Sequence, residues 1–124
     1  MLPKANRLRH WRDFQTIYQQ GIRWRGDLLM LRAWRRTAAD PVPTRFGISV
    51  SRKFSKHAVT RNRIKRQIRA ALHHLLPDIV PGWDCIIVVK PTDQTCNYDR
   101  FLQELKQLLA KAEVLNGHSR GNVL

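Results

Sequence analysis

The sequence predicts an α+β fold, a single-layer four-stranded sheet packed with helices, with elements in the order α-β-β-β-α-β-α. Three observations predict it. Apolar residues recur at helical spacing in three separated stretches, residues 45–51 (RFGISVS) alternate as a half-buried strand does, and residues 83–90 (WDCIIVVK) form the continuous apolar run of a buried strand. At 124 residues, 43% of them hydrophobic, the chain can bury one core and is too short for two. One domain is therefore expected over residues 1–115, with 116–124 an unstructured tail.

Trp11, Phe14, Ile17 and Tyr18 share one side of a helix over 11–20, and Gly21 stands where a C-terminal cap would sit. Residues 22–25 and 28–36 read as strands about the Gly26-Asp27 turn signal. Asp40-Pro41 and Pro43 interrupt the chain before the third strand, which puts Phe46, Ile48 and Val50 on one face and Gly47, Ser49 and Ser51 on the other. A longer helix over 57–76 ends at Pro77. The last helix carries a stripe from Tyr98 through Phe101, Leu105, Leu108 and Ala112 to Leu115 behind an Asn97 cap. A strand on each side of the 57–76 helix calls for a crossover connection.

Charge narrows the function. Twenty-three Lys and Arg oppose nine Asp and Glu, a formal net charge of +14, so a polyanion is the expected partner. Arginine outnumbers lysine by about two to one, and its guanidinium fork matches phosphate geometry and stacks on bases. Between Asp40 and Asp78 there is no acidic residue, while Arg45, Arg52, Lys53, Lys56, Arg61, Arg63, Lys65, Arg66 and Arg69 all fall there. At about 100° per residue, Ile64, Ile68, Ala71, Leu72 and Leu75 gather on one side of the helix; Asn62, Lys65, Arg66 and Arg69 lie opposite or beside them. A solvated helix face gains from mixed-sign pairs, so an all-cationic one points to a ligand.

Residues 58–69, AVTRNRIKRQIR, resemble the signature of the protein subunit of bacterial ribonuclease P, in which Arg-Asn-Arg is followed by Lys-Arg on one helix. The resemblance extends to Arg7-Leu8, DFQTIYQQG, FGISVSRK and WDCIIVVKP. It implies a left-handed β-α-β crossover through that helix, against the usual right-handed sense. It also implies a protein that accompanies a catalytic RNA, which uses bound Mg²⁺ to remove the 5′ leader of precursor tRNA. By the same resemblance Arg52, Lys53, Arg61, Asn62, Arg63, Lys65, Arg66 and Arg69 are expected RNA contacts. Phe14, Tyr18, Arg32, Trp34 and Lys90 are expected around a leader-binding cleft. On spacing alone Phe14 and Tyr18 read as a core stripe. Arg32 stands where the family often has a cleft tyrosine, so Arg32 or Trp34 is expected to take that place, and the segment 54–57 is longer than in the shortest members.

Nothing in the pattern suggests that the chain cuts RNA itself. Its acids are dispersed, Glu104 near Asp99 being the closest approach to a pair, and His73 and His74 diverge by about 100° on one helix. No protein-held metal is expected, since Cys85 and Cys96 lack metal-ligand spacing, and both thiols are expected reduced. Without a long apolar run or a signal-peptide pattern the chain is expected in the cytoplasm, away from membranes and with no obligate protein partner. Two other classes share the charge: a structural RNA binder of the ribosomal kind, which needs no substrate cleft, and a DNA-binding module, for which no helix-turn-helix spacing or dimerisation stripe is present.

Overall fold

The computed structural model describes residues 2–36, 42–92 and 96–115. Its elements are α1 (Trp11–Gln20), β1 (Ile22–Arg25), β2 (Leu29–Arg35), β3 (Arg45–Val50), α2 (Ala58–Leu75), β4 (Trp83–Val89) and α3 (Tyr98–Lys111), in the expected order. Two short 3₁₀ turns, Lys4–Asn6 and Leu76–Asp78, were not foreseen. The expected tail, 116–124, and the Asp40-Pro41 break lie outside the described residues.

The sheet runs β1-β2-β4-β3. β1 and β2 form an antiparallel hairpin, β2 pairs antiparallel with β4, and β3 lies parallel to β4, with α2 as the crossover between them. Strand alternation then divides the side chains into two populations. Leu29, Leu31, Ala33, Phe46, Val50, Cys85, Ile87 and Val89 face α2 and α3 and form the principal core with Ile64, Ile68, Leu72, Phe101, Leu105 and Leu109. Ile86, Val88 and Trp34 face the other way, against Leu8, Phe14 and Ile17 under α1. Helices therefore cover both faces, but one short helix covers the second face only in part.

α3 is capped as its sequence predicts, with the Asn97 side chain accepting from the Arg100 N–H at 2.9 Å. Its end differs from the expectation. The apolar stripe runs on to Leu115, yet the helix stops at Lys111, and Glu113 takes a left-handed φ of 65°. Val114 and Leu115 then donate back to the Leu109 carbonyl at 2.9 and 3.1 Å, so the last apolar residues reach the core through a tight turn.

Glu104 gives the second correction. It does not pair with the exposed Asp99 but turns inward, where its carboxylate accepts from the N–H groups of Leu28 (2.8 Å) and Leu29 (2.8 Å). The carboxylate occupies the space that a Cβ on Gly26 would fill, which is why the β1–β2 turn needs glycine there.

Gly21 caps α1 through its N–H to the Ile17 carbonyl at 2.8 Å, from an extended backbone with φ −73°. Close packing explains the glycine: a Cβ would stand 2.5 Å from the Ile17 carbonyl oxygen and 3.1 Å from that of Ala33.

Candidate nucleic-acid interface

The cationic surface is organised around the N-terminal half of α2. Its apolar residues, Ile64, Ile68, Ala71, Leu72 and Leu75, are buried as their spacing predicts. Asn62, Arg63 and Arg66 are exposed, while Arg61, Lys65 and Arg69 are half-buried at the flanks. Partial burial of this kind suits long cationic side chains, whose apolar stems pack on a protein surface at little cost to the charged end. The first turn contains no acidic residue and its N-cap, His57, offers no side-chain bond, so the positive end of the helix dipole faces more positive charge. An isolated helix disfavours that arrangement; an anion relieves it.

The loop from β3 to α2 adds the rest. Phe54 packs against the principal core and its N–H donates to the Ser51 carbonyl at 3.1 Å, which folds the segment back on itself. Ser55 then ties loop to helix: its carbonyl accepts from the Arg61 guanidinium at 2.8 Å and its hydroxyl from the His57 N–H at 3.1 Å. Arg52, Lys53, Lys56 and Arg61 consequently surround one concavity of about 580 Å³. Among the described residues, no carboxylate lies within ion-pair distance of these four or of Arg63, Lys65, Arg66 and Arg69.

Arg45 does not belong to this surface, although it lies in the acid-free stretch. It forms a two-pronged contact with Asp84, Nε to Oδ1 at 2.9 Å and Nη2 to Oδ2 at 2.7 Å, and approaches Asp13 at 3.4 Å. Asp84 is 1% exposed and also receives Arg36 at 3.1 Å. Its hydrogen bonds raise the Arg45 pKa further, against the opposing effect of burial. These two arginines neutralise a buried acid, and Arg45 also ties α1 to the sheet through Asp13; among the described residues the α2 cations have no such partner.

The second candidate surface lies between α1 and the sheet. The α1 stripe divides: Ile17 is fully buried, Phe14 half-buried, and Tyr18 is 44% exposed. Phe14 sits over Gly47, where a Cβ would come within 2.5 Å of its ring, so the small-residue face of β3 is the seat of an aromatic side chain. Arg32 stacks its guanidinium 4.7 Å from the centre of the Tyr18 ring and donates to the Tyr18 carbonyl at 3.3 Å. Trp34 instead fills the small core beneath α1, so Arg32 is the one set against Tyr18. Lys90 lies just past β4, its ammonium donating to the Gly26 carbonyl at 3.0 Å.

Sequence reasoning missed Met30 and Val88 on this face, and Arg23 and Arg25 at its edge. Extending the alternation of IRWR across the hairpin register would have found the arginines. Among the described residues no three His, Cys, Asp or Glu side chains converge as metal ligands, and Cys85 and Cys96 form no disulfide. Burial pushes both thiols up from their ordinary pKa. No described helix is long and apolar enough to cross a membrane.

These features define a class, small basic α+β proteins that present an Arg-Asn-Arg crossover helix beside a four-stranded mixed sheet. Comparison identifies the member. The sequence model of the family described as Ribonuclease P matches residues 2–113. The Ribonuclease P protein component of Picosynechococcus sp. is 56% identical over 94% of this chain and 98% of its own length, and that of Synechocystis sp. is 52% identical over 99% and 98%. The RNase P protein of Staphylococcus aureus is 30% identical and superposes with a TM-score of 0.78 over 91% of this chain and all of its own. The Thermotoga maritima RNase P protein, 24% identical with a TM-score of 0.69 over 82% of this chain and 94% of that one, shows the same fold. The chain belongs to the ribonuclease P protein family, and is thus the protein part of an endoribonuclease that processes tRNA.

Proposed function

We propose that the chain binds the catalytic RNA of ribonuclease P through Arg52, Lys53, Asn62 and the α2 cations Arg61, Arg63, Lys65, Arg66 and Arg69. In the same reading it holds the 5′ leader of precursor tRNA between α1 and the sheet, at Phe14, Tyr18 and Arg32, with Trp34 and Lys90 supporting that surface. The observation that carries the reading is the contrast among arginines: Arg36 and Arg45 are paired internally, while the α2 face and its loop are left uncompensated.

The protein does not supply the reacting groups. Asp84 and Glu104, the buried acids among the described residues, are occupied in structural contacts. The Mg²⁺ that assists leader hydrolysis is held by the RNA, and the protein acts by charge and position in the cytoplasm. Cations between two RNAs reduce their mutual repulsion, so fewer divalent ions are needed to hold the complex together. Aromatic and guanidinium surfaces stack any base without reading its identity, contributing about 1–3 kcal/mol per base, which suits leaders of many sequences.

The test is reconstitution. Catalytic RNA alone should cleave precursor tRNA poorly at low Mg²⁺ and efficiently once the protein is added, while protein without RNA leaves the substrate intact. Cleavage by the RNA-free protein would refute the proposal.

A further inference from the structure

The four residues of β1, Ile-Arg-Trp-Arg, alternate between the two faces of the sheet. Trp24 lies opposite Leu31 and packs with it against the principal core. Arg23 and Arg25 therefore project from the other face, opposite Arg32 and Met30, where α1 leaves the sheet partly open. Both are exposed. Arg23 stands directly across from Arg32, a pairing of like charges that disfavours the hairpin unless an anion lies between them.

Among the described residues no carboxylate is within ion-pair distance of Arg23, Arg25 or Arg32. Arg32 is already committed to the ring and carbonyl of Tyr18, and its buried Nε finds no protein acceptor. Charge on a sheet edge discourages strand addition, but arginines on either face would do that. Edge protection leaves unexplained why all three guanidiniums share the face of Tyr18 and Phe14.

We propose that Arg23 and Arg25 form a phosphate-binding rail along the open side of the α1 cleft. It takes the backbone of an unpaired RNA strand, the 5′ leader, while the bases lie against Tyr18. This rests on the leader-cleft reading above and adds a wall to it. The two arginines sit about 7 Å apart along the strand, so each can meet a separate phosphate. Lys90, anchored to the Gly26 carbonyl next to Arg25, ends the row at the β1–β2 turn. An unpaired strand fits better than a duplex, because the ring surface beside the rail is available only to bases outside a helix.

The experiment uses holoenzyme reconstituted with catalytic RNA, and measures affinity for precursor tRNA with a leader and for leaderless tRNA over a range of salt. Wild type is compared with the double variant Arg23→Gln/Arg25→Gln, with Arg23→Lys/Arg25→Lys and with Tyr18→Ala. The rail predicts that the Gln pair flattens the log–log salt slope for the leader-bearing substrate by about 1.4, from about 0.7 per single-strand contact, and that the Lys pair keeps it. Slopes for leaderless tRNA and affinity for the catalytic RNA should stay at wild-type values. An unchanged slope for the Gln pair overturns the rail, as does an equal loss on leaderless tRNA or on the catalytic RNA. If wild type and Tyr18→Ala discriminate the two substrates in the same ratio, the cleft reading itself fails, whatever the arginine variants do.

Discussion

Replacing Glu104 by alanine should detach α3 from the β1–β2 turn. The carboxylate accepts two buried backbone N–H groups, Leu28 at 2.8 Å and Leu29 at 2.8 Å, from a position 9% exposed. Each orphaned N–H costs about 1–3 kcal/mol, and the variant recovers part of that by no longer burying a charge, so a net loss of about 3 kcal/mol is expected. Glu104→Gln keeps an acceptor of the same shape and loses only the charge assistance, for about 1 kcal/mol. Urea unfolding reads both: with a slope near 2 kcal/mol/M, the alanine variant should lose roughly 1.5 M from its midpoint and the glutamine variant about a third of that. Equal losses for the two, or an alanine cost below about 0.5 kcal/mol, would refute the assignment of Glu104 as the acceptor that holds the turn.

Three further outcomes follow from the packing. Gly47→Ala forces its new methyl against the Phe14 ring, so thermal unfolding should show a loss of about 1–3 kcal/mol, and affinity for leader-bearing tRNA should fall with it. Asp84→Asn removes the carboxylate of Arg36 and leaves Arg45 only its longer contact with Asp13. The two side chains are 13% and 27% exposed, so the loss should be nearer about 2–3 kcal/mol than the full cost of a completely buried pair, and similar at low and high salt. Cys85 is fully buried, and that burial raises its pKa above the ordinary 9.0. The native thiol therefore keeps its proton where the unfolded one loses it. Its stability contribution is intact below pH 9.0 and is lost as pH rises beyond it, so unfolding measured between pH 8 and 10.5 should fall less steeply in Cys85→Ala.

Local signals made much of this fold legible. The Ile64, Ile68, Ala71, Leu72 and Leu75 face, the Asn97 cap and the bounds of α1 each depend on residues a few positions apart, and periodicity or cap chemistry specifies them directly. What stayed hidden depends on pairs distant in the chain. Glu104 meets Leu28 across 76 positions, and Arg45 meets Asp84 across 39, so neither acid announces its partner. Counting charge alone placed Arg45 with the α2 cations, because a tally cannot distinguish a guanidinium already paired from one that is open. The cleft shows the same division: helical spacing grouped Phe14 with Tyr18, but only the seat on Gly47 and the partial cover of α1 separate a half-buried ring from an open one.

In the proposed function the α2 cations grip phosphates of the folded catalytic RNA. The most direct test is the salt dependence of catalytic-RNA binding by wild type, Arg63→Ala, Arg66→Ala and Lys111→Gln, the last on the separate α3 helix. Each α2 variant should flatten the log–log slope by about 0.7–0.9 per phosphate contact removed, with Lys111→Gln unchanged. Slopes for Arg63→Ala and Arg66→Ala that coincide with wild type would contradict the claim.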